Sequence, residues 1–247
     1  MELRRSYEDV PLAPNRQTAG IASSRHRPHA VALSRTGAQD QPLSKRALDI
    51  ALISLSLPVL VPVMLLIAAF IKLVSRGPVF FRQERIGYRE ARFEMLKFRS
   101  MHANAETGVH ETHTTHLYRS GLPLTKIDKR GDPRVIPLGL LLRSSGFDEL
   151  PQLINVLRGE MSIVGPRPCT PSEYGVLQPT DRARFMALPG LTGLWQVSGK
   201  NKTTYREMIA LDIAYARGWS VWLDLRIMAK TFPVLLAQVR EMSKTRR

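Results

Sequence analysis

The pattern of hydrophobic and polar positions is dominated by one apolar stretch, Ile50 to Ile71. No charged residue lies between Asp49 and Lys72. At about 1.5 Å per residue, a helix of this length would reach about 30 Å, the thickness of the hydrocarbon core of a bilayer. The stretch starts too late in the chain for a cleaved signal peptide and lacks a small-residue cleavage site. It therefore predicts a permanent membrane anchor.

Two prolines, Pro58 and Pro62, lie near the middle of this stretch. Each removes one helix hydrogen bond and clashes with the carbonyl group four residues earlier, so a bend is expected at mid-depth. Positive charge, which marks the cytoplasmic side of a membrane helix, flanks both ends of the stretch at Lys45, Arg46, Lys72, Arg76, Arg82 and Arg85. These observations favour a re-entrant helix-break-helix that enters and leaves by the same face. A straight span with a mild proline kink is the alternative.

After the anchor, alternation with a period of two predicts a small β-hairpin. Its strands are expected at Val79–Arg82 and Arg92–Met101. Lys97 and Arg99 then fall on one face of the second strand, with Phe98 on the other. Two cations at this spacing can reach one anionic group, whereas a solvated strand face is the simpler interpretation.

Further along, the pattern predicts an apolar helix around Leu138–Arg143 and a second helix that begins near Asp148. Pro151 is tolerated only in a first helical turn, which places Asp148 and Glu149 at the start of the second helix. Its apolar face is predicted to be Leu150, Leu153, Ile154 and Leu157. A helix start favours ionised carboxylates and attracts phosphate. The pair suits one nucleophile and one metal ligand, and a simple helix cap is the alternative.

A turn with two prolines follows a short predicted strand at Met161–Val164. Its sequence is Gly165-Pro166-Arg167-Pro168, so the backbone is restricted on both sides of the arginine. A guanidinium held in this way is suited to bidentate binding of phosphate. Arg167 is therefore a candidate phosphate ligand, and a plain surface turn is the alternative.

The last part of the chain combines a glycine-rich loop with two predicted helices. The loop, residues 189–201, lacks the glycine spacing of the phosphate-binding loop of ATPases. It is nevertheless suited to hold a base or sugar through stacking on Trp195 and hydrogen bonds from Gln196. A helix is predicted at Tyr205–Tyr215. The helix after it is long enough to lie along a membrane interface, or it packs against the domain core.

Composition narrows the classes of function. The 247-residue chain has a formal net charge of +15, which attracts nucleic acid, an anionic membrane face or phosphorylated substrates. Its single cysteine, Cys169, excludes a disulfide framework and suits a reducing compartment. The spacing of His110, His113 and His116 would suit a metal site on a helix, but the neighbouring threonines disfavour a helix and favour a surface insertion.

Five segments between about residues 44 and 240 resemble the bacterial sugar transferase family, in the order typical of that family: KRALDIA, KFRSM, DPRV, DELPQLINVLRGEMSIVGPRP and PGLTGLWQVSGKN. These are the monotopic polyprenyl-phosphate hexose-1-phosphate transferases. The chain is most similar to members that initiate exopolysaccharides by transferring galactose- or glucose-1-phosphate. It departs from the family at Val61, where many members have a serine before the central proline.

The resemblance implies a reaction and a set of site residues. Asp148 would attack the β-phosphate of a UDP-hexose, UMP would leave, and a covalent phosphosugar–aspartate would form. Undecaprenyl phosphate would then take the sugar phosphate, and Glu149 would bind Mg²⁺. With this reaction, Lys97, Arg99, Arg143 and Arg167 would supply positive charge to the substrate phosphates, and Gln196 stays a candidate substrate contact on the evidence of its loop.

The predicted fold class is α+β. A re-entrant N-terminal membrane helix is followed by a compact, mostly helical cytosolic domain with a small β-hairpin and amphipathic interfacial helices. The predicted regions are a disordered basic tail, the membrane anchor, the catalytic domain and a basic C-terminal tail, at residues 1–44, 45–76, 77–240 and 241–247.

The expected partners are a UDP-hexose, undecaprenyl phosphate and the lipid bilayer, without nucleic acid. The expected location is the cytoplasmic face of the bacterial inner membrane, and the oligomeric state stays open, a homo-oligomer included. A nucleic-acid-binding protein would explain the net charge but not the apolar stretch or the acidic pair. A membrane-anchored scaffold or regulator would explain the anchor and leave the acidic pair idle.

Overall fold

The computed structural model describes residues 41–102, 117, 118, 120, 123, 134–199 and 203–244. Within these residues the chain is mostly helical with two small two-stranded sheets, in agreement with the predicted α+β class. Several predictions lie outside the described residues, namely the tail up to residue 40, the last three residues, Lys200 and the three histidines at 110, 113 and 116.

The apolar stretch forms one helix, α1, from Leu43 to Val74. Its helical backbone continues through Pro58 and Pro62, so the predicted break between two helices is not observed. The physical reason is that each proline removes only its own amide donor, while the bonds of its neighbours remain. Of the described helices, α1 is the one that is long and apolar enough to cross a membrane.

Both ends of α1 pack against the same domain, while its middle is exposed. Near the start, Ile53 belongs to a buried cluster with Phe93, and near the end Ile71 belongs to one with Phe98. In the most apolar 18-residue segment of the helix, only 11% of the residues are buried. Exposed apolar side chains between the two ends include Leu55, Leu57, Val59, Val61, Leu65 and Leu66.

A β-hairpin follows α1, as predicted. Strand β1 (Phe80–Ile86) pairs antiparallel with strand β2 (Arg92–Phe98). The turn between them contains Arg89 and Glu90, with φ angles of 50° and 63°. Most of β2 is buried, because the segment Phe147–Glu149, which contains the acidic pair, and the helix Gln152–Arg158 after it lie against this strand.

Two short helices flank the acidic pair. Helix α2 (Gly139–Ser145) lies close to the predicted helix at Leu138–Arg143. A 3₁₀ turn, Phe147–Glu149, separates it from helix α3 (Gln152–Arg158). The acidic pair therefore lies in the 3₁₀ turn and not in the first turn of an α-helix as predicted, because Pro151 takes the position just before α3.

The buried face of α3 is partly polar, whereas the sequence predicted an apolar face. Leu157 is exposed, while Gln152 and Asn155 are buried. The amide of Asn155 accepts a hydrogen bond from the Leu96 N–H at 3.0 Å and donates to the Glu94 carbonyl at 2.7 Å. One edge of β2 pairs with β1, so its other edge needs partners, and an amide offers both a donor and an acceptor. The prediction was wrong because helical periodicity does not show this need.

A second sheet carries the proline-rich turn. Strand β3 (Ser162–Val164) pairs in parallel with strand β4 (Gly190–Thr192), a pairing that the sequence did not predict. The turn begins at Gly165, where a Cβ atom would lie 2.1 Å from the Leu188 carbonyl oxygen. Only glycine allows the two backbones to approach this closely, so the start of the turn is fixed against the loop before β4.

The remaining elements are mostly helical. They are helix α4 (Pro171–Tyr174), a 3₁₀ segment (Pro179–Met186), helix α5 (Leu194–Val197), helix α6 (Tyr205–Arg217) and helix α7 (Val221–Lys244). Helix α6 agrees with the prediction and supplies core side chains. Helix α7 continues to Lys244, past the predicted domain end at residue 240.

A buried ion pair joins the start of α1 to α7. The ammonium of Lys45 lies 2.8 Å from a carboxylate oxygen of Asp224, and their side chains are 3% and 2% exposed. The same ammonium donates to the Val164 carbonyl at 2.9 Å and contacts the Tyr215 hydroxyl at 3.0 Å. The indole N–H of Trp219 donates to Asp224 at 3.0 Å. The start of α1 is thus bound to β3, α6 and α7.

Candidate active site

Asp148 and Glu149 lie in a tight turn that begins after Gly146. Gly146 has φ of 77°, a left-handed conformation that ends α2 and redirects the chain. The Glu149 N–H donates to the Gly146 carbonyl at 3.0 Å. Asp148 is only 8% exposed, while the Glu149 side chain is 39% exposed. The two adjacent carboxylates therefore have different environments, one enclosed and one open.

Lys97 of β2 reaches this acidic turn. Its ammonium lies 2.9 Å from Oε1 of Glu149, and both side chains are partly exposed. The structure therefore brings together three of the predicted site residues, Lys97, Asp148 and Glu149. A partly exposed ion pair contributes about 0–1 kcal/mol, so the ammonium can move to a substrate phosphate at little cost.

Arg99, predicted to lie beside Lys97, contacts a different part of the protein. Its guanidinium donates to the carbonyl groups of Ser75 at 2.9 Å and Arg76 at 2.8 Å. The alternation that placed both cations on one strand face ends with β2 at Phe98. The structure therefore places Arg99 at the end of α1 and not at the acidic turn.

Arg167 is held by buried charged residues as well as by its two prolines. Its Nη1 donates to Glu173 at 2.8 Å, and its backbone N–H donates to Asp212 at 3.3 Å. Its carbonyl accepts a hydrogen bond of 2.8 Å from Arg184, which also pairs with Asp212. The Arg167 side chain itself is partly exposed. The predicted phosphate ligand thus has a fixed backbone and an accessible guanidinium.

Arg85 is a neighbour of this turn that was not predicted from the sequence. Its Nη1 donates to the Pro168 carbonyl at 2.9 Å and lies 3.9 Å from Glu173. Burial and the charge of Arg167 lower the pKa of Arg85 to about 10. Burial would raise the pKa of Glu173, but Arg167 and Arg85 hold it below its usual value. The available signal was the period of two in β1, which puts Arg85 and Gln83 on one face.

Trp195, in the described part of the glycine-rich loop (residues 189–199), does not offer the predicted stacking surface. Trp195 is buried in a core cluster with Tyr205 and Met208, so its ring does not face a ligand from outside. That prediction was wrong, because the adjacent α6 covers the ring. Gln196 is half-buried and donates to the Leu191 carbonyl at 3.2 Å.

The acidic turn offers hard oxygen ligands to a metal. Magnesium binds proteins through one or two carboxylates and completes its shell with water and substrate phosphates. Glu149 next to Asp148 fits that donor set. Across the residues that the structure describes, no group of three or more His, Cys, Asp or Glu side chains could hold a metal ion.

Arg143, another predicted phosphate ligand, is half-buried in the last turn of α2, just before the acidic turn.

Comparison with known proteins identifies the class. Residues 40–238 match the bacterial sugar transferase family, and the chain belongs to this family. The chain is 38% identical over 195 residues to the exopolysaccharide production protein ExoY of Sinorhizobium fredii, covering 78% of this chain and 85% of that protein. It is 43% identical over 202 residues to the UDP-glucose:undecaprenyl-phosphate glucose-1-phosphate transferase of Caulobacter vibrioides, covering 78% and 70% of the two chains.

A third relative is longer. The galactosyl transferase CpsE of Streptococcus agalactiae is 41% identical over 161 residues, which cover 65% of this chain and 35% of that protein. The family match includes α1, the acidic turn and the Arg167 turn. The candidate site therefore lies within the region that defines the family.

Proposed function

We propose that this protein transfers a hexose-1-phosphate from a UDP-hexose to undecaprenyl phosphate and releases UMP, as the initiating step of an exopolysaccharide or related glycan. The observation that carries the proposal is the acidic turn, where enclosed Asp148 adjoins Glu149 and Glu149 pairs with Lys97. Arg85 interacts electrostatically with both Glu149 and Arg167. A buried cation therefore lies near both the acidic turn and the Arg167 turn. The names of the rhizobial and Caulobacter relatives agree with this reaction.

Asp148 is the proposed nucleophile. One carboxylate oxygen attacks the β-phosphorus, the bond from that phosphorus to the bridging oxygen breaks, and UMP leaves with the electron pair. An oxygen of undecaprenyl phosphate then attacks the same phosphorus, and the carboxylate leaves unchanged. Such displacements need positioning and neutralised charge more than proton transfer. The enclosure of Asp148 supports this role because it limits access of water to the phosphorylated aspartate.

The other residues supply charge around the diphosphate. Lys97, Arg143 and Arg167 are the proposed phosphate ligands, and Gln196 is a proposed substrate contact. Glu149 is the proposed ligand of Mg²⁺, which would neutralise charge on the diphosphate. Because Glu149 also accepts from Lys97, binding of substrate lets the ammonium exchange the carboxylate for a phosphate oxygen.

The proposed location is the cytoplasmic face of the inner membrane, with α1 re-entrant as one continuous helix that bends at its prolines and not as two helices with a break. Ile53 lies in one buried cluster with Phe93, and Ile71 lies in another with Phe98. The two helix positions would be about 27 Å apart in a straight helix, nearly the thickness of the bilayer core, while their partners lie about 17 Å apart on one strand. A straight crossing would place the ends of one buried strand near opposite membrane faces, so the packing supports entry and exit by one face.

Helix α7 supports the same location. It exposes the apolar side chains of Trp222 and Phe232, and Arg226 lies over the Trp222 ring at 5.4 Å from its centroid. Exposed aromatic and basic side chains together are typical of a helix that lies in a membrane interface. An acceptor with its chain in lipid presents its phosphate at that surface.

The test uses purified protein in lipid nanodiscs with a panel of UDP-hexoses and undecaprenyl phosphate, with UMP release measured. UDP-hexose alone should release about one equivalent of UMP per protein and leave a sugar phosphate on the Asp148 peptide. Asp148→Asn should carry no adduct and show no turnover. The matched control Asp181→Asn should keep both, since Asp181 serves to cap the 3₁₀ segment through the Gln178 N–H at 3.1 Å.

Three outcomes would contradict parts of this proposal. Release of no UMP from any UDP-hexose would overturn the reaction. Near wild-type turnover by Asp148→Asn, or UMP release that requires the lipid and leaves no adduct, would favour direct attack by the lipid phosphate. Full cellular function of Asp148→Asn would favour a scaffold or regulator.

A further inference from the structure

The Arg99 side chain joins the end of β2 to the end of the membrane helix. Its two Nη groups donate to the carbonyls of Ser75 and Arg76, the two residues directly after α1. The residue is 4% exposed. Its backbone N–H donates to the Val79 carbonyl at 2.9 Å, one residue before β1. Arg99 therefore contacts both ends of the short connection between α1 and β1.

The Ser75 and Arg76 carbonyls lie directly after the C-terminal end of α1. The last four carbonyl groups of an α-helix have no donor within the helix, and the negative end of the helix dipole lies there. Ser75 closes one of them by donating to Ile71 at 3.0 Å. A guanidinium at this end adds a favourable charge and binds two carbonyls in one plane, whereas an ammonium lacks that fork.

The two residues before Arg99 connect the same strand to the catalytic turn. Lys97 pairs with Glu149, and Phe98 lies in one buried cluster with Ile71 of α1. The last two residues of β2 and Arg99, which follows them, are therefore associated in turn with the acidic turn, with the buried cluster that contains Ile71 of α1, and with the end of α1. Because the acidic turn itself lies against β2, this segment links the end of α1 to the acidic turn.

We infer that Arg99 is a positioning residue that sets the position of the acidic turn relative to the end of α1. This matters for the second half of the reaction, in which the acceptor's phosphate is held at the membrane surface by its own lipid chain. The inference rests on the proposed function. It differs from the role expected from the sequence, where Arg99 binds a substrate phosphate directly.

The first test needs no substrate. Arg99→Gln and Arg99→Lys are compared with wild type in nanodiscs by hydrogen exchange of the peptide spanning residues 72–80. Arg92→Gln is the matched control, because Arg92 lies on the same strand in an exposed pair with Glu84 at 2.8 Å. Both Arg99 variants should exchange faster in this peptide, since the connection loses its fixed carbonyls. The control should match wild type.

The second test separates the two substrates. In both Arg99 variants the KM for undecaprenyl phosphate should rise about tenfold, because a shift of about 1 Å in a reacting group is costly. The KM for UDP-hexose and the UMP released without lipid should stay within about twofold of wild type. Arg92→Gln should change none of these quantities.

Either of two results would overturn the inference. One is unchanged hydrogen exchange at residues 72–80 in Arg99→Gln. The other is a raised KM for UDP-hexose, restored by Arg99→Lys, with an unchanged KM for the lipid, which would make Arg99 a phosphate ligand. A wild-type protein that releases no UMP would instead refute the proposed function, and the exchange experiment would still decide the role of Arg99.

Discussion

Replacing Lys45 by methionine should lower the free energy of unfolding by about 3–5 kcal/mol. Lys45 and Asp224 are almost fully buried and lie 2.8 Å apart. Without the ammonium, the Asp224 carboxylate stays buried with hydrogen bonds from Tyr215 at 2.7 Å and Trp219 at 3.0 Å, but without an opposite charge. The expected loss therefore exceeds that of one neutral hydrogen bond, about 1 kcal/mol.

The double variant Lys45→Met with Asp224→Leu should be more stable than Lys45→Met alone. It removes both charges, and apolar replacement of a buried pair is often close to neutral. The Tyr215 hydroxyl, which has a single hydrogen, can then donate to the Val164 carbonyl at 2.9 Å in place of Asp224, and half-buried Trp219 can donate to water. We expect a total loss of about 1–2 kcal/mol, set by the altered hydrogen bonds.

Guanidinium titrations in one detergent, followed by tryptophan fluorescence, give the free energies of unfolding for the two single variants and the double. The control replaces the exposed pair Arg82–Glu94, at 3.5 Å, by methionine and leucine and should cost at most about 1 kcal/mol. The reasoning is refuted if Lys45→Met costs no more than this control. It is also refuted if the double variant loses the sum of the two single variants, because the buried charges would then be independent.

Three further predictions concern single positions. Asn155→Ala should lower the free energy of unfolding by about 2–5 kcal/mol, because two backbone groups of β2 lose their hydrogen-bond partner. A loss of less than about 1 kcal/mol in a denaturant titration would contradict this prediction. Glu149→Gln should abolish UMP release while leaving thermal unfolding unchanged, and wild-type activity in excess EDTA would refute the magnesium role. Burial raises the pKa of Cys169 from 9.0 to about 12, so its reactive thiolate at pH 8 should be about a thousandfold rarer and should increase only as the pH rises toward 12. A disulfide reagent at pH 8 should therefore label this cysteine only after denaturation, and rapid labelling of the native protein would count against the assignment.

Local patterns in the sequence were enough to predict several elements. The apolar run predicted α1, alternation predicted the β-hairpin, and periodicity predicted α2 and α6. Each of these depends on residues a few positions apart, because side-chain direction repeats every 2 residues in a strand and every 3.6 in a helix. The helix start predicted at the acidic pair was wrong, because Pro151 lies just before α3 and the pair lies in a 3₁₀ turn; the proposed roles of the pair came from the resemblance to the family.

Only the tertiary structure decided which partner each polar side chain has. Lys97 and Arg99 share a predicted strand face, yet one contacts Glu149 and the other the end of α1. Asn155 is buried because β2 has an unpaired edge, and Lys45 because Asp224 lies opposite it, 179 positions along the chain. The physical reason is common to these cases. A buried polar group must be paired, and its partner is supplied by whichever distant segment the packing of the apolar core brings alongside.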